Sequence, residues 1–134
     1  MRVLVDTNIW SLALRRNTRK KCKDTEQLTH LILAGQAVII GAIRQELLSG
    51  ISSEDSFAKL KAKLDAFDDF PVSTQHHIMA AQYYNLCRRH GIQGSMVDFL
   101  ICAVAVDNDM VIYTNDKDFD NFARCLPLRL LKLA

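Results

Sequence analysis

The sequence lacks the features typical of membrane proteins and of disulfide-bonded proteins. No apolar run approaches the ~20 residues that a membrane-spanning helix needs. The four cysteines are far apart and include no Cys-x-x-Cys pair, which favours free thiols in a reducing compartment over disulfides or structural zinc. Met1 and Arg2 lead directly into an apolar run, which leaves no room for a signal peptide. We therefore expect a cytoplasmic protein that does not contact membranes.

Internal repeats, low-complexity tracts and linkers are also lacking, and neither sign of charge dominates. The formal net charge of +2 by itself says little about binding partners. Hydrophobic side chains are abundant, at 49% of the 134 residues, which is enough to build a core and argues against intrinsic disorder. A chain of this length fits one domain. We expect a single domain over residues 1–134.

Carboxylates follow two short apolar runs. Val3–Val5 reads as a strand buried on both faces, and it ends at Asp6. Met110–Tyr113 is a similar run, and Asp116 and Asp118 follow it. In open α/β sheets, ligands lie at the carboxyl ends of the strands. Each of these acids could instead only cap the helix that comes after it.

Strands and helices are predicted to alternate along the chain. Ala37–Ile40 is a further buried strand, and Phe70–Val72 and Pro127–Leu131 are minor or edge strands. This alternation favours an α/β fold with a mostly parallel sheet of four to five strands, covered by helices on both faces. His76 and His77 are adjacent near the start of a long predicted helix. Because neighbouring side chains point apart, we interpret both histidines as surface residues.

Two more carboxylates lie on predicted helices. Asp98 is the only charged residue from Met96 to Val106, a segment whose apolar character on all sides predicts a buried helix. A buried, unpaired carboxylate is costly, so it needs a basic partner, a helix N-terminus or a cation. Glu46 lies a few residues beyond a predicted strand end and could reach the same sheet edge as Asp6. A surface glutamate is the simpler interpretation of Glu46 taken alone.

Four carboxylates gathered at one sheet edge would repel one another. In chain order they are Asp6, Glu46, Asp98 and Asp116. At ~4 Å, two like charges cost on the order of 4 kcal/mol at an effective dielectric constant near 20. A hard divalent cation relieves this repulsion, and all-oxygen ligands suit Mg²⁺ or Mn²⁺. Such an ion can lower the pKa of a bound water and neutralise charge on a phosphoryl group.

The segments that contain these acids also carry a family resemblance. They are Val3–Trp10, Gln45–Ile51, Val97–Ala103 and Tyr113–Phe119. Together they resemble the motifs of the PIN-domain family and, within it, of the VapC-type toxin ribonucleases of toxin–antitoxin pairs. Each motif is weak by itself, but all four occur in order and at matching separations. The resemblance covers the chain from the first strand to the last helix.

The resemblance implies a PIN-like three-layer α/β/α sandwich and an endoribonuclease that depends on Mg²⁺ or Mn²⁺. Such an enzyme would hydrolyse phosphodiester bonds in single-stranded regions of RNA, be silenced by a cognate antitoxin protein and form a homodimer. Asp6, Asp98 and Asp116 would be metal ligands. Glu46 would complete the catalytic set as a ligand or by positioning the attacking water.

Three further residues would support this set. The resemblance implies that Asn8 and Thr114 hydrogen-bond the carboxylates. Asp118 is the alternative to Asp116 as the innermost fourth acid, and we favour Asp116 because it is nearer the strand end.

A basic run lies outside the family motifs. Six of the nine residues from Arg15 to Lys23 are basic. Short runs of this kind contact nucleic-acid phosphates, but they also occur on solvated loops and helix ends. We hypothesise that Arg15, Arg16 and Lys20 contact RNA.

Two other functions are compatible with parts of the sequence. A PIN-like module could bind RNA or a protein without cleaving, although the presence of all four acids argues against it. A phosphotransfer fold is the other alternative, either as a receiver domain or as an aspartate-nucleophile phosphatase. The phosphatase needs a second aspartate two residues after the first, where this chain has Asn8, and Lys117 is a weak candidate for the lysine of a receiver.

Overall fold

A computed structural model of the protein describes residues 1–14 and 22–133, and its centre is a small parallel sheet. The strands are β1 (Val3–Val5), β2 (Ala37–Val38) and β3 (Val111–Tyr113), in the order β2-β1-β3. Both neighbours pair with β1 in parallel, with Val5 opposite Tyr113. The strand that begins the chain is therefore the central one, and its carboxyl end lies beside that of β3.

Seven helices surround this sheet in the described part of the chain. They are α1 (Thr7–Leu14), α2 (Lys23–Leu33), α3 (Gly41–Leu48), α4 (Glu54–Leu64), α5 (Thr74–Arg89), α6 (Met96–Asp107) and α7 (Asp118–Phe122). Helix α1 packs against α2 and α3, and α3 packs against α4. Helices α5 and α6 pack against each other, and α6 contacts β3. The alternation of strands and helices confirms the predicted α/β class.

The sheet is smaller than the sequence indicated. Three strands form over the described residues rather than four to five. The predicted strand Phe70–Val72 is absent, with a single bridge from Ile39 to Asp69 just before it, and Pro127–Leu131 is reduced to a single bridge from Ile112 to Leu130. Each predicted segment contains a proline, which has no backbone N–H to continue a ladder of hydrogen bonds.

The core is built around β1, β3 and α6. All three residues of both β1 and β3 are buried, and so are the seven consecutive residues Phe99–Ala105 of α6. This confirms the prediction that the segment after Asp98 is a buried helix. All four thiols are free, and Cys87 and Cys102 are buried. Within residues 1–14 and 22–133, no helix combines the length and the apolar character needed to cross a bilayer.

The interpretation of His76 as a surface residue is wrong. Its imidazole is buried, with Nε2 2.8 Å from Oδ2 of Asp107 and Nδ1 accepting the backbone N–H of Ser73 at 2.9 Å. The ring thus joins the start of α5 to the end of α6. The neighbouring His77 is exposed, as expected. The sequence gives no sign of this contact, because the partner lies 31 positions away.

Replacing His76 by alanine should therefore lower the stability of the protein. The change leaves a carboxylate at the end of α6 without its partner and empties a buried site, so we expect a loss of about 2–3 kcal/mol in the free energy of unfolding. His77→Ala is the matched control and should change this free energy by less than about 0.5 kcal/mol. Chemical denaturation of the two variants measures both values, and equal losses would contradict a specific role for His76.

Candidate functional site

Asp6 lies where β1 ends beside β3. Its backbone N–H donates to the carbonyl oxygen of Tyr113 at 2.8 Å, which continues the pairing of the two strands by one residue. Its carboxylate accepts the N–H of Thr7, the first residue of α1, at 2.7 Å and the hydroxyl of Thr114 at 2.8 Å. Asp6 therefore does both things that the sequence allowed: it caps a helix and it faces the neighbouring strand end.

The environment of Asp6 opposes its negative charge. The residue is only 6% exposed. Burial raises the pKa of its carboxyl from 3.8 to about 6, and the negative charges of Asp98 and Glu46 add to this rise. The hydrogen bonds from Thr114 and Thr7 act in the opposite direction but do not cancel it. Ionisation of Asp6 therefore costs free energy in the folded protein. A positive charge nearby would reduce this cost.

Asp98 lies in the first turn of α6 and is fixed there by a reciprocal cap. The Ser95 N–H donates to Oδ2 of Asp98 at 3.0 Å, and the Asp98 N–H donates to Oγ of Ser95 at 3.1 Å. Burial is the main cause that raises the pKa of Asp98, and the charges of Asp116 and Glu46 raise it further. The helix N-terminus therefore does not by itself offset the free-energy cost of the negative charge on Asp98.

Glu46 on α3 is oriented by a residue to which the sequence analysis gave no site role. The hydroxyl of Thr7 donates to Oε1 of Glu46 at 2.6 Å, which links the start of α1 to α3. Glu46 is exposed, in line with the simpler interpretation, but this contact holds its carboxylate beside the start of α1, where its charge acts on Asp6. A hydroxyl residue directly after a strand-ending aspartate is the signal that could have pointed to Thr7.

The loop after β3 carries the remaining polar residues. Thr114 donates its hydroxyl to Asp6, as predicted, and the same oxygen accepts the Asp116 N–H at 3.0 Å and Nδ2 of Asn8 at 3.4 Å. Asn8 therefore bonds to Thr114, and not to a carboxylate as the resemblance implied. Asn8 thereby acts on Asp6 only through Thr114, which donates its hydroxyl to the carboxylate.

Asp116 and Asp118 differ in their surroundings. Asp116 is partly buried, acts on the pKa of Asp98, and accepts the N–H of Asp118 at 2.9 Å through Oδ1. Asp118 is exposed at the start of α7. This contrast supports the choice of Asp116 as the inner acid. The basic positions Arg15, Arg16 and Lys20 lie outside the described residues.

A cavity of about 350 Å³ lies elsewhere, between α5 and α6. Its lining is mostly apolar and consists of His77, Ala80, Ala81, Tyr84, Asn85, Met96, Val97 and Leu100. None of the four acids faces it, so the chemistry of the candidate site does not involve this cavity.

The acids thus lie on four separate elements, and the charges of Asp98 and Glu46 act on Asp6 while those of Asp116 and Glu46 act on Asp98. The PIN domain family matches residues 3–124, which is most of the chain and includes all four acids. The chain belongs to the PIN domain family. This confirms the family that the four sequence motifs indicated.

Solved structures share this PIN fold. The chain of FitAcB from Neisseria gonorrhoeae superposes with a TM-score of 0.77 at 19% identity, over 97% of this chain and 96% of that one. VapBC2 from Rickettsia felis, bound to a DNA fragment from its promoter, gives 0.76 at 20% identity over 100% of both chains. A toxin–antitoxin complex from Klebsiella pneumoniae gives 0.62 at 19% identity, over 87% and 89%. No curated protein matches the sequence.

The PIN site fits a divalent cation in its chemistry but is not a closed metal cage. Among the described residues, no three His, Cys, Asp or Glu side chains are grouped closely enough to hold an ion between them. Each oxygen of Asp6 accepts one hydrogen bond, which leaves a lone pair on each for a cation. Mg²⁺ is commonly held by one or two carboxylates, several waters and substrate phosphates, so such a cage is not required. Burial raises the pKa values of Asp6 and Asp98, and the neighbouring carboxylates add to this rise, so a cation would favour the ionised forms.

Proposed function

We propose that this PIN domain is a Mg²⁺- or Mn²⁺-dependent endoribonuclease that hydrolyses phosphodiester bonds in single-stranded regions of RNA. The observation that carries the proposal is that Thr7 links Asp6 and Glu46 through hydrogen bonds of 2.7 and 2.6 Å, while burial raises the pKa values of Asp6 and Asp98. The charges of Asp98 and Glu46 add to the rise for Asp6, and those of Asp116 and Glu46 add to the rise for Asp98. Perturbed acids of this kind concentrate at functional sites. The match to the PIN domain family over residues 3–124 supports a hydrolase.

The four acids would divide the work of the proposed site. Asp6 and Asp98 would hold the ion, Asp116 would be a third ligand directly or through water, and Glu46 would be a further ligand or position the attacking water. A bound Mg²⁺ or Mn²⁺ would supply positive charge to the phosphodiester and lower the pKa of a water. Thr114 keeps Asp6 oriented through its 2.8 Å hydrogen bond. Asp118 supports the loop by donating its backbone N–H to Asp116.

Thr7 is a positioning residue in this proposal. Its hydroxyl fixes Glu46 at 2.6 Å while its backbone N–H bonds to Asp6, so one residue sets the relation between the two carboxylates. Cleavage would leave a 5′-phosphate and a 3′-hydroxyl, since water attacks in line with the leaving 3′ oxygen.

The biological setting is part of the proposal. We infer a VapC-type toxin that acts in the cytoplasm as a homodimer of single-domain chains and is silenced by a cognate antitoxin. The fold of VapBC2 and of the Klebsiella pneumoniae toxin–antitoxin complex supports this setting. Arg15, Arg16 and Lys20 are proposed to contact the RNA.

Binding of a metal ion and cleavage of RNA should both be lost in Asp98→Asn. For the wild type, Mn²⁺ at 100 times its Kd should stabilise the fold by about 2.7 kcal/mol, because the ion binds only the folded state. Asp98→Asn should show little of this stabilisation and no cleavage, and EDTA should inactivate the wild type. Thermal unfolding with and without Mn²⁺, together with cleavage of a labelled RNA, measures both effects.

Asp55→Asn is the matched control, because Asp55 also lies in the first turn of a helix but is exposed and pairs with Lys59. It should keep both the response to Mn²⁺ and the activity. Cleavage by purified Asp98→Asn would refute the proposed site. Binding of RNA without cleavage by the wild type, with Mn²⁺ present and no antitoxin, would instead favour the non-catalytic binding module.

A further inference from the structure

A polar pocket lies directly beside the proposed catalytic acids. It opens between the loop after β3, helix α7 and the C-terminal segment, and its volume is about 170 Å³. A single water needs only about 10–15 Å³ of such space, so the pocket has room for a larger polar group. Its lining consists of Thr114, Asn115, Asp116, Lys117, Asp120, Leu130, Leu131 and Lys132.

The C-terminal segment reaches this pocket because it follows β3. The Leu131 N–H donates to the carbonyl oxygen of Ile112 at 2.8 Å, and Leu130 forms a parallel bridge with Ile112. A chain that runs parallel to β3 arrives at the same end of the sheet. Lys132 is thereby brought next to the loop that contains Thr114 and Asp116, although 16 to 18 positions separate them in the sequence.

The charges of the pocket suit a phosphate. Lys117 and Lys132 supply two positive charges, and Asp116 and Asp120 supply two negative ones. Asp116 belongs to the proposed metal site, so a bound cation would offset its charge and leave the pocket positive. Lys132 pairs with Asp120 at 2.7 Å, but both side chains are more than half exposed, so the pair is weak and an incoming phosphate can replace the carboxylate.

An RNA substrate needs a positively charged group near this site. The proposed catalytic residues are all acids, and without nearby cations they would repel the neighbouring phosphates of the strand as well as the phosphate to be cleaved. Lysine binds phosphate as a mobile point charge, without the fixed geometry of arginine, and this suits a contact that is independent of base sequence.

We propose that this pocket binds a backbone phosphate of the RNA next to the one that is cleaved, with Lys132 and Lys117 as its ligands. The inference rests on the proposed function and adds a substrate-binding residue pair to it. It predicts that the two lysines contribute to the affinity for RNA of any sequence and take no part in the bond-breaking step.

The test compares RNA binding by the wild type, Lys117→Ala, Lys132→Ala and the double variant. Fluorescence anisotropy with Mg²⁺ present and a labelled single-stranded RNA analogue whose backbone resists hydrolysis gives Kd between about 50 and 200 mM salt. Each substitution should weaken binding and reduce the slope of log K against log salt by about 0.7, and the double variant by about twice that. Lys132→Arg should retain most of the binding. With Mg²⁺, the alanine variants should raise KM and leave kcat unchanged.

Lys59→Ala is the matched control, because Lys59 is an exposed lysine that pairs with an aspartate on α4, as Lys132 pairs on α7. Lys59→Ala should leave the slope of log K against log salt unchanged. A wild type that cleaves RNA and a double variant with an unaltered slope would overturn the phosphate pocket and leave the proposed function standing. A wild type that neither binds nor cleaves RNA would overturn both.

Discussion

Replacing Asp6 by asparagine should abolish RNA cleavage and, at pH 7 without a metal ion, make the protein more stable. The wild-type carboxylate is buried and its pKa is raised from 3.8 to about 6, so its ionised form destabilises the fold. Each pKa unit corresponds to about 1.4 kcal/mol, which sets an upper limit of about 3 kcal/mol on the gain. The gain should be smaller than this limit, because Thr7 and Thr114 donate to different oxygens of Asp6 and one of these becomes an NH2 group in asparagine.

The pH dependence of this gain follows from the direction of the pKa shift. Well below pH 3.8, Asp6 is protonated in both the folded protein and the unfolded chain, so the charge costs nothing. As the pH rises toward 6, the unfolded chain releases the proton first, because its carboxyl has the ordinary pKa. Wild-type stability should therefore fall between about pH 4 and 6, and this part of the fall should be missing in Asp6→Asn.

Urea denaturation in EDTA at several pH values, together with an RNA cleavage assay, measures both effects. Asp55→Asn again serves as the control, since its carboxylate is exposed and paired with Lys59. A purely structural Asp6 would give the opposite result, with lost stability at pH 7 and intact cleavage. Increased stability together with lost activity is the outcome expected of a residue kept for its chemistry.

The fold and the acids were accessible to sequence reasoning because their signals are local. A strand such as Val3–Val5 is marked by consecutive apolar residues, and a parallel sheet brings the ends of such strands to one side. Asp98 was informative because it interrupts an otherwise apolar helix. These signals need only neighbouring residues and general rules of topology.

The contacts that orient the acids could not be predicted in the same way. The hydrogen bond from Thr7 to Glu46 joins residues 39 positions apart, and the contact of His76 with Asp107 joins residues 31 apart. No pattern marks His76, and the position of Thr7 directly after Asp6 does not identify Glu46 as its partner. Lys132 is a similar case, because its closeness to Asp116 depends on how the last segment pairs with β3.

The other large effect is expected for Gly94→Ala, in the loop before α6. A Cβ at position 94 would lie 2.5 Å from Cζ of Phe122 and 3.0 Å from Cε2 of Phe99. Both rings are buried and pack against each other at a tilt, with their centroids 4.8 Å apart, so neither can move aside freely. We expect a loss of about 1–3 kcal/mol in the free energy of unfolding, as for other overpacked cores.

Gly41→Ala is the matched control. The new Cβ would meet only Oδ2 of Asp69 at 3.6 Å, an ordinary contact, and Gly41 is the first residue of α3. We expect a change of less than about 0.5 kcal/mol there. Adding Phe122→Leu to Gly94→Ala should recover part of the loss, because the smaller side chain makes room for the methyl group. Thermal unfolding of the wild type and these three variants measures these differences, and a Gly94→Ala protein as stable as the wild type would contradict the steric argument.

Gly94→Ala should also disturb the candidate site. Gly94 directly precedes Ser95, whose cap fixes the carboxylate of Asp98. If the rings of Phe99 and Phe122 hold their places, the backbone at Gly94 must shift and carry the cap with it. We therefore expect Gly94→Ala to lose RNA cleavage at temperatures where it is still folded, and Phe122→Leu to restore both properties together. Tight packing behind the loop would then be one of the conditions that keep Asp98 near the other acids.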